Sequence, residues 1–119
     1  MTNGALPHHV QQYQGRLDTV TALLQQNADP AKADGMRAYM RNQFQFLGVP
    51  TPARRKLTRP AIKELQATES IDWDFVDACW QNQYREFQYV AVDYLAAVRE
   101  RLKAGDLPRI KRFIKLKPW

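Results

Sequence analysis

The stretch NQFQFLGVPTPARRKLTRP, Asn42 to Pro60, decides how this chain is read. Gly48 and the VPTP turn close whatever precedes them. Thr51 is expected to cap a new helix, with Pro52 at its first position, where a missing N–H costs nothing. Leu57, Ala61, Ile62 and Leu65 then recur at helical spacing and mark an inner face. Opposite them on a helical wheel stand Arg55, Lys56, Arg59 and Lys63, so one face enters a core and the other presents cations. Pro60 is expected to kink this helix, because it has no N–H to donate and its ring crowds the carbonyl of Lys56.

The same helical period extends in both directions. Upstream, Val10, Tyr13, Leu17, Val20 and Leu24 recur at three- and four-residue steps, as one face of a helix from about His8 to Gln26 requires. Asp29 and Pro30 then open a helix carrying Met36, Tyr39 and Met40 toward Phe44, with Gly35 as a weak point in its interior. Downstream, Ser70 is the expected cap of a helix from Asp72 to Gln81 with Phe75, Val76, Cys79 and Trp80 inward; its early aspartates suit the positive end of the helix dipole. A long helix from about Tyr84 to Lys103 places Phe87, Val90, Ala91, Tyr94, Leu95, Val98 and Leu102 on one side. Gly105 and Asp106 interrupt it, and LPRIKRFIKLK starts a last helix. No alternating strand pattern is present. Five or six helices in antiparallel pairs, at a spacing of roughly 30 to 45 residues, point to an all-α solenoid of degenerate repeats. Leu17, Leu57, Trp80, Phe87 and Leu95 are the expected core markers.

Bulk properties narrow the class. With 119 residues and 45% apolar composition, residues 1–119 are expected to form one domain. The net charge of +6 and an isoelectric point near 9.7 favour a polyanionic partner and say nothing of the fold. The single Cys79 excludes an intrachain disulfide and a cysteine zinc site, and fits a reducing compartment. No apolar run approaches the ~20 residues of a membrane span, and the start MTNGALPHHV lacks the pattern of a signal peptide. A cytoplasmic protein with no membrane contact is expected.

Catalytic chemistry is not visible in spacing. His8 and His9 are adjacent and near a terminus, Cys79 lies on an apolar helix face, and Asp72, Asp74 and Asp77 read as helix-start residues. Glu86 and Asp93 are expected to cap or to pair with Arg85 or Arg99. No metal site and no cofactor is indicated. The basic segments say more. The cations of the Pro52 helix, and eight Lys or Arg from Arg99 to Lys117 against Glu100 and Asp106, could line one surface that tracks a phosphate backbone, with Arg55, Arg59, Arg109 and Lys111 as its expected members. A helix N-terminus beside Arg54 and Arg55 adds an anion site. A solvated face is the competing reading of every charge run.

Two motifs carry a family resemblance. YMRNQFQFLGVPTPARR, Tyr39 to Arg55, resembles the signature of the AlkD-like DNA alkylation repair proteins, and WQNQYREFQYVAVDYL, Trp80 to Leu95, resembles their second motif, in matching order and separation. The resemblance implies a curved stack of HEAT-like repeats whose concave basic face holds duplex DNA, in a glycosylase that removes N3- or N7-alkylated purines. It makes Tyr39, Thr51, Pro52 and Arg55 candidates for DNA contact, with packing as the alternative for Tyr39, and it assigns Trp80, Phe87, Tyr89 and Tyr94 to packing. Pro50 stands where the family often has a basic or polar residue.

At the other end Trp119, expected with Arg54 among the DNA-binding residues, resembles the first tryptophan of a motif that closes, in the family, on a catalytic aspartate. That aspartate would lie beyond Trp119, so no catalytic residue is expected within the chain, which reads as the N-terminal part of a longer protein. Its last helix, Leu107 to Leu116, is then expected to fray or to be covered by a dimer partner or a neighbouring copy. A non-catalytic helical-repeat module that binds nucleic acid or protein is the alternative function.

Overall fold

The computed structural model describes the backbone of residues 8–117 and side chains from residue 14 onward. Val10, Tyr13, His8 and His9 as side chains, and Trp119 altogether, therefore lie outside the described residues. Six α-helices are present among these residues: α1 (His8–Gln26), α2 (Pro30–Tyr39), α3 (Thr51–Gln66), α4 (Trp73–Gln81), α5 (Arg85–Ala97) and α6 (Leu107–Leu116), with 3-10 turns at Arg99–Arg101 and Ala104–Asp106. The one extended contact described is an isolated bridge between Gln45 and Tyr84.

α1, α3, α4 and α5 form the body: α3 packs on α1 and α5, and α4 packs on the same two helices. Their apolar stripes meet in a core of Val20, Leu24, Leu65, Phe75, Val76, Cys79, Phe87, Val90, Ala91, Tyr94 and Val98, all at the zero or near-zero limit of exposure. Of the five expected core markers, Trp80 and Phe87 are buried; Leu17, Leu57 and Leu95 are only half-buried, packed on the rim of the core. In an array this thin, a helix shared by two neighbours has flanks that reach neither. α6 is anchored through Phe113, which stacks on Trp80 at 5.3 Å and accepts the Trp80 Nε1–H on its carbonyl at 2.6 Å. The expected last helix is formed, while Leu107, Ile114 and Leu116 on its outer side stay exposed.

Several helix boundaries differ from the sequence expectation, each for a reason visible in the hydrogen bonds. The helix after the VPTP turn begins one residue early: Pro50 occupies the cap position, Thr51 is already helical, and its hydroxyl accepts from Arg54 Nη1 at 3.2 Å instead of capping the backbone. The cap of α4 is Asp72, not Ser70. Its carboxylate accepts from the Phe75 amide at 3.1 Å, and its own amide donates to the Tyr94 hydroxyl at 2.8 Å, which fixes the register. The expected long helix to Lys103 stops at Ala97, and Leu102 returns to an extended backbone. There Arg101 donates to the carbonyls of Thr68 and Gln66 at 2.7 and 2.8 Å, holding the chain back against the end of α3.

α2 also ends before Phe44. Arg41 and Asn42 both take left-handed backbone (φ 56° and 59°), and the Asn42 amide closes on the Arg37 carbonyl at 2.7 Å. α3 runs through Pro60 to Gln66, and both Pro60 and Lys56, whose carbonyl loses its donor, are exposed. Gly48 is a fixed point of the fold. Its φ is 94°, and a Cβ there would stand 2.0 Å from the Asp29 carbonyl oxygen, so only glycine lets the 47–49 segment pass under the start of α2.

Candidate nucleic-acid interface

The sequence expectation placed function at the start of α3, and the structure gives that region a defined architecture. The α3 N-terminus has no side-chain cap and no acid in its first turn; Pro52 has no N–H and Arg54 N bonds the Pro50 carbonyl at 2.8 Å, which leaves the Thr51 and Ala53 amides uncapped. The segment leading into it is held by Glu86, which is 1% exposed. The Glu86 carboxylate accepts from the amides of Leu47, Gly48 and Val49 at 2.9 to 3.1 Å. It was expected to cap or to pair with Arg85 or Arg99; instead it closes a chain separation of 39 residues. The start of α3 is therefore set by the start of α5.

Arg85, on the preceding position, is also fully buried. Its guanidinium lies 3.8 Å from the centroid of the Phe44 ring and 5.5 Å from that of Tyr89. Desolvation by burial lowers its pKa, and a hydrogen bond to Tyr89 works the other way. Gln88 donates to the carbonyls of Cys79, Trp80 and Asn82 at 3.1, 3.2 and 2.9 Å, so that its amide closes the C-terminus of α4.

Along the junction of α3 and α5 the two neighbouring arginines divide. Arg54 is 4% exposed. Its Nε and Nη2 donate to Asp93 Oδ2 at 3.2 and 3.1 Å, and its guanidinium lies 5.0 Å from the Tyr89 centroid. It is an internal strut. Arg55 has a side chain 63% exposed and stands 3.6 Å from Asp93 Oδ1, a loose contact that leaves its guanidinium available to solvent. Spacing suggested Arg85 or Arg99 as the partner of Asp93; its real partners lie on another helix, 39 residues away for Arg54.

Three concavities run together along this junction. A recess of about 310 Å³ is lined by Thr51, Arg54, Arg55, Tyr89, Val92 and Asp93. Arg55 and Asp93 continue into a groove of about 440 Å³ lined also by Arg59, Lys63 and Gln66. Thr51, Arg54 and Tyr89 continue the other way into a cleft of about 470 Å³ bordered by Tyr39. The structure thus brings Tyr39, Thr51, Arg54, Arg55 and Arg59 onto one trough. Tyr39 is 87% exposed, which settles its ring outside the core. Pro52 is exposed in the first turn of α3.

Arg109 is elsewhere. It is stacked 4.7 Å from the Trp73 centroid and lines a separate recess with Arg16, Asp72 and Asp74. Lys111 is exposed on α6. Lys63 joins the trough as the wheel predicted, whereas Asp93 and Tyr89 had no sequence signal that pointed there. Among the described residues no cluster of three His, Cys, Asp or Glu could hold a metal ion, and no helix is long and apolar enough to cross a membrane.

An all-α helical-repeat body with a cationic trough beside an uncapped helix start defines the class. The comparisons then place the chain within it: the sequence profile of the DNA alkylation repair enzymes matches residues 20–119, and the chain belongs to that family. A solved structure described as a predicted DNA alkylation repair enzyme from Enterococcus faecalis is similar, with a TM-score of 0.72 and 31% identity over 77% of this chain. The match spans 44% of that protein's length. No protein of curated function matches.

Proposed function

We propose that residues 1–119 are the duplex-DNA-gripping N-terminal portion of a glycosylase that excises N3- or N7-alkylated purines, built on HEAT-like repeats. The observation that carries this reading is the row Arg55, Arg59 and Lys63 along one groove, in a chain of the DNA alkylation repair family. Successive members of the row are four residues apart, about 6 Å of helix rise, so the row spans about 12 Å. At 3.4 Å of axis per base step this faces three to four steps of one strand. The uncapped amides at the start of α3 extend the positive potential toward Tyr39 and Thr51.

Bond cleavage is assigned to residues outside this chain. An alkylated purine already carries positive charge and leaves readily, so a carboxylate and aromatic faces need only stabilise the cation that forms at the sugar. The one acid in the groove, Asp93, is committed to Arg54 and Arg55. Arg54 is left out of the DNA-contact set because its guanidinium is buried in the same pair.

The test is the salt dependence of duplex binding by wild type, Arg55→Gln and Arg59→Gln. Each true phosphate contact removed lowers the magnitude of the log-affinity against log-salt slope by about 0.9. Unchanged slope and affinity in both variants would reduce the trough to solvated surface and favour a protein-binding repeat module. Release of alkylated purine from methylated duplex by this chain, at a rate comparable to that of a full-length relative, would place a catalytic group within residues 1–119 and overturn the assignment.

A further inference from the structure

α2 is lightly anchored in the fold. Ala33 is its only buried residue, and its attachment is the close passage of Asp29 and Ala33 over Gly48. Its underside, with Phe46 and Val49 opposite, borders the open cleft of about 470 Å³, a volume in the range of small-molecule sites. Met36 lines it from α2 and Met40 from the residue that ends that helix, and Tyr39 and Tyr89 stand at its sides. Gly35 opens onto it as well: a Cβ built there meets nothing within 4 Å. Glycine inside a helix costs about 1 kcal/mol relative to alanine. No steric contact or positive φ at Gly35 requires it, and its position keeps the cleft open.

Of the charged groups on the cleft wall, Glu86 and Arg54 are already engaged and Lys32 is exposed to solvent at the rim. Glu86 is saturated by the 47–49 amides, and Arg54 is bound to Asp93 and Thr51. A charged occupant would be desolvated there, with only the solvent-exposed Lys32 and the start of α3 at the rim to meet an anion, whereas methionine sulfurs and tyrosine rings offer favourable contact to an aromatic ring.

We propose that this cleft is a binding site for an uncharged, planar aromatic small molecule, which packs between α2 and the 46–49 segment. The inference does not rest on the DNA reading, because the cleft is complete in this chain without nucleic acid.

The experiment titrates the purified chain with 2-naphthol, uncharged at neutral pH, without DNA, and follows 13C-methyl methionine signals assigned by Met36→Leu and Met40→Leu. The Met36 and Met40 signals shift together and saturate at one common concentration. Gly35→Phe, which places a ring in the cleft, weakens binding by about tenfold or more. Gly15→Phe, at the other helical glycine whose Cβ meets nothing within 4 Å and which lines a different recess, leaves it unchanged. The anionic analogue 2-naphthalenesulfonate binds more weakly than the naphthol.

The proposal is overturned if the wild-type signals do not move up to the solubility of the naphthol, or if Gly35→Phe binds as wild type does. Equal binding of the sulfonate overturns the assignment of an uncharged ligand. The wild-type titration decides the matter even if Gly35→Phe does not fold.

Discussion

Replacing Glu86 by alanine should be the most costly single truncation in the chain that touches no large apolar side chain. The carboxylate is 1% exposed and accepts from three consecutive backbone amides, those of Leu47, Gly48 and Val49. Removing it leaves three donors in a largely buried segment without partners. At about 1–3 kcal/mol for each, less whatever water entering the vacated space recovers, the loss is about 3 kcal/mol or more. Against a typical domain stability of about 5–15 kcal/mol this approaches unfolding. Glu86→Gln keeps one carbonyl oxygen as acceptor but loses the charge and turns an NH2 toward an amide, so it should cost about 1–2 kcal/mol. Urea unfolding followed by circular dichroism measures both: an m-value of about 1–3 kcal/mol per molar converts a loss of about 3 kcal/mol into a midpoint shift of about 1–3 M. Amide exchange should accelerate first at Leu47, Gly48 and Val49. Glu86→Ala within about 0.5 kcal/mol of wild type would refute the reasoning, and equal losses from the two variants would show that charge, and not the count of acceptors, holds the segment.

Gly48→Ala should destabilise by about 2 kcal/mol or more, since the new Cβ meets the Asp29 carbonyl in left-handed backbone; thermal unfolding checks it, and a neutral result would mean that the 47–49 segment can move. Burial pushes the Cys79 thiol far above its ordinary range, so an aromatic disulfide reagent at neutral pH should react only after denaturant is added. Desolvation by burial raises the Asp72 carboxyl. The folded state then holds the proton more tightly than the unfolded one, so this contribution is present below the unfolded pKa and is lost as pH rises through the folded pKa. Asp72→Asn, which preserves an N-cap oxygen, should flatten that acid-side fall in stability, and an unchanged urea midpoint profile between pH 3 and pH 7 would count against it.

Helix periodicity carried most of the architecture. Val20, Leu24, Leu65, Phe75, Val76, Val90 and Tyr94 recur at spacings that only a helix can direct to one side, and all are buried. Asp29 with Pro30 was equally readable, because a capping carboxylate and a proline act on their immediate neighbours. Boundaries failed where a distant side chain chose between two adequate local signals. Ser70 and Asp72 can both cap; the Tyr94 hydroxyl, 22 positions away, selects Asp72. Nothing near Val98 breaks a helix, and Arg101 reaching to Thr68 and Gln66 does so. The candidate site divides the same way. Arg55, Arg59 and Lys63 were legible because i, i+4 and i+8 share a face. Arg54 and Arg55 differ by one position and by everything else, since Asp93 and Tyr89 reach them from another helix.

The first four residues of α5 bear on how the molecule comes apart. Arg85, Glu86, Phe87 and Gln88 are all buried, which successive residues of a helix achieve only when material lies on every side of it. Arg85 meets Phe44, Glu86 holds residues 47–49, Phe87 enters the core and Gln88 closes α4. In an ordinary solenoid each repeat carries its own stability plus a boundary energy, and the array can melt one unit at a time. Here the turn before α3 and the end of α4 terminate on the same helical turn, so neither can open without releasing the other. The segment from Phe44 to Ala97 should therefore unfold as one cooperative unit.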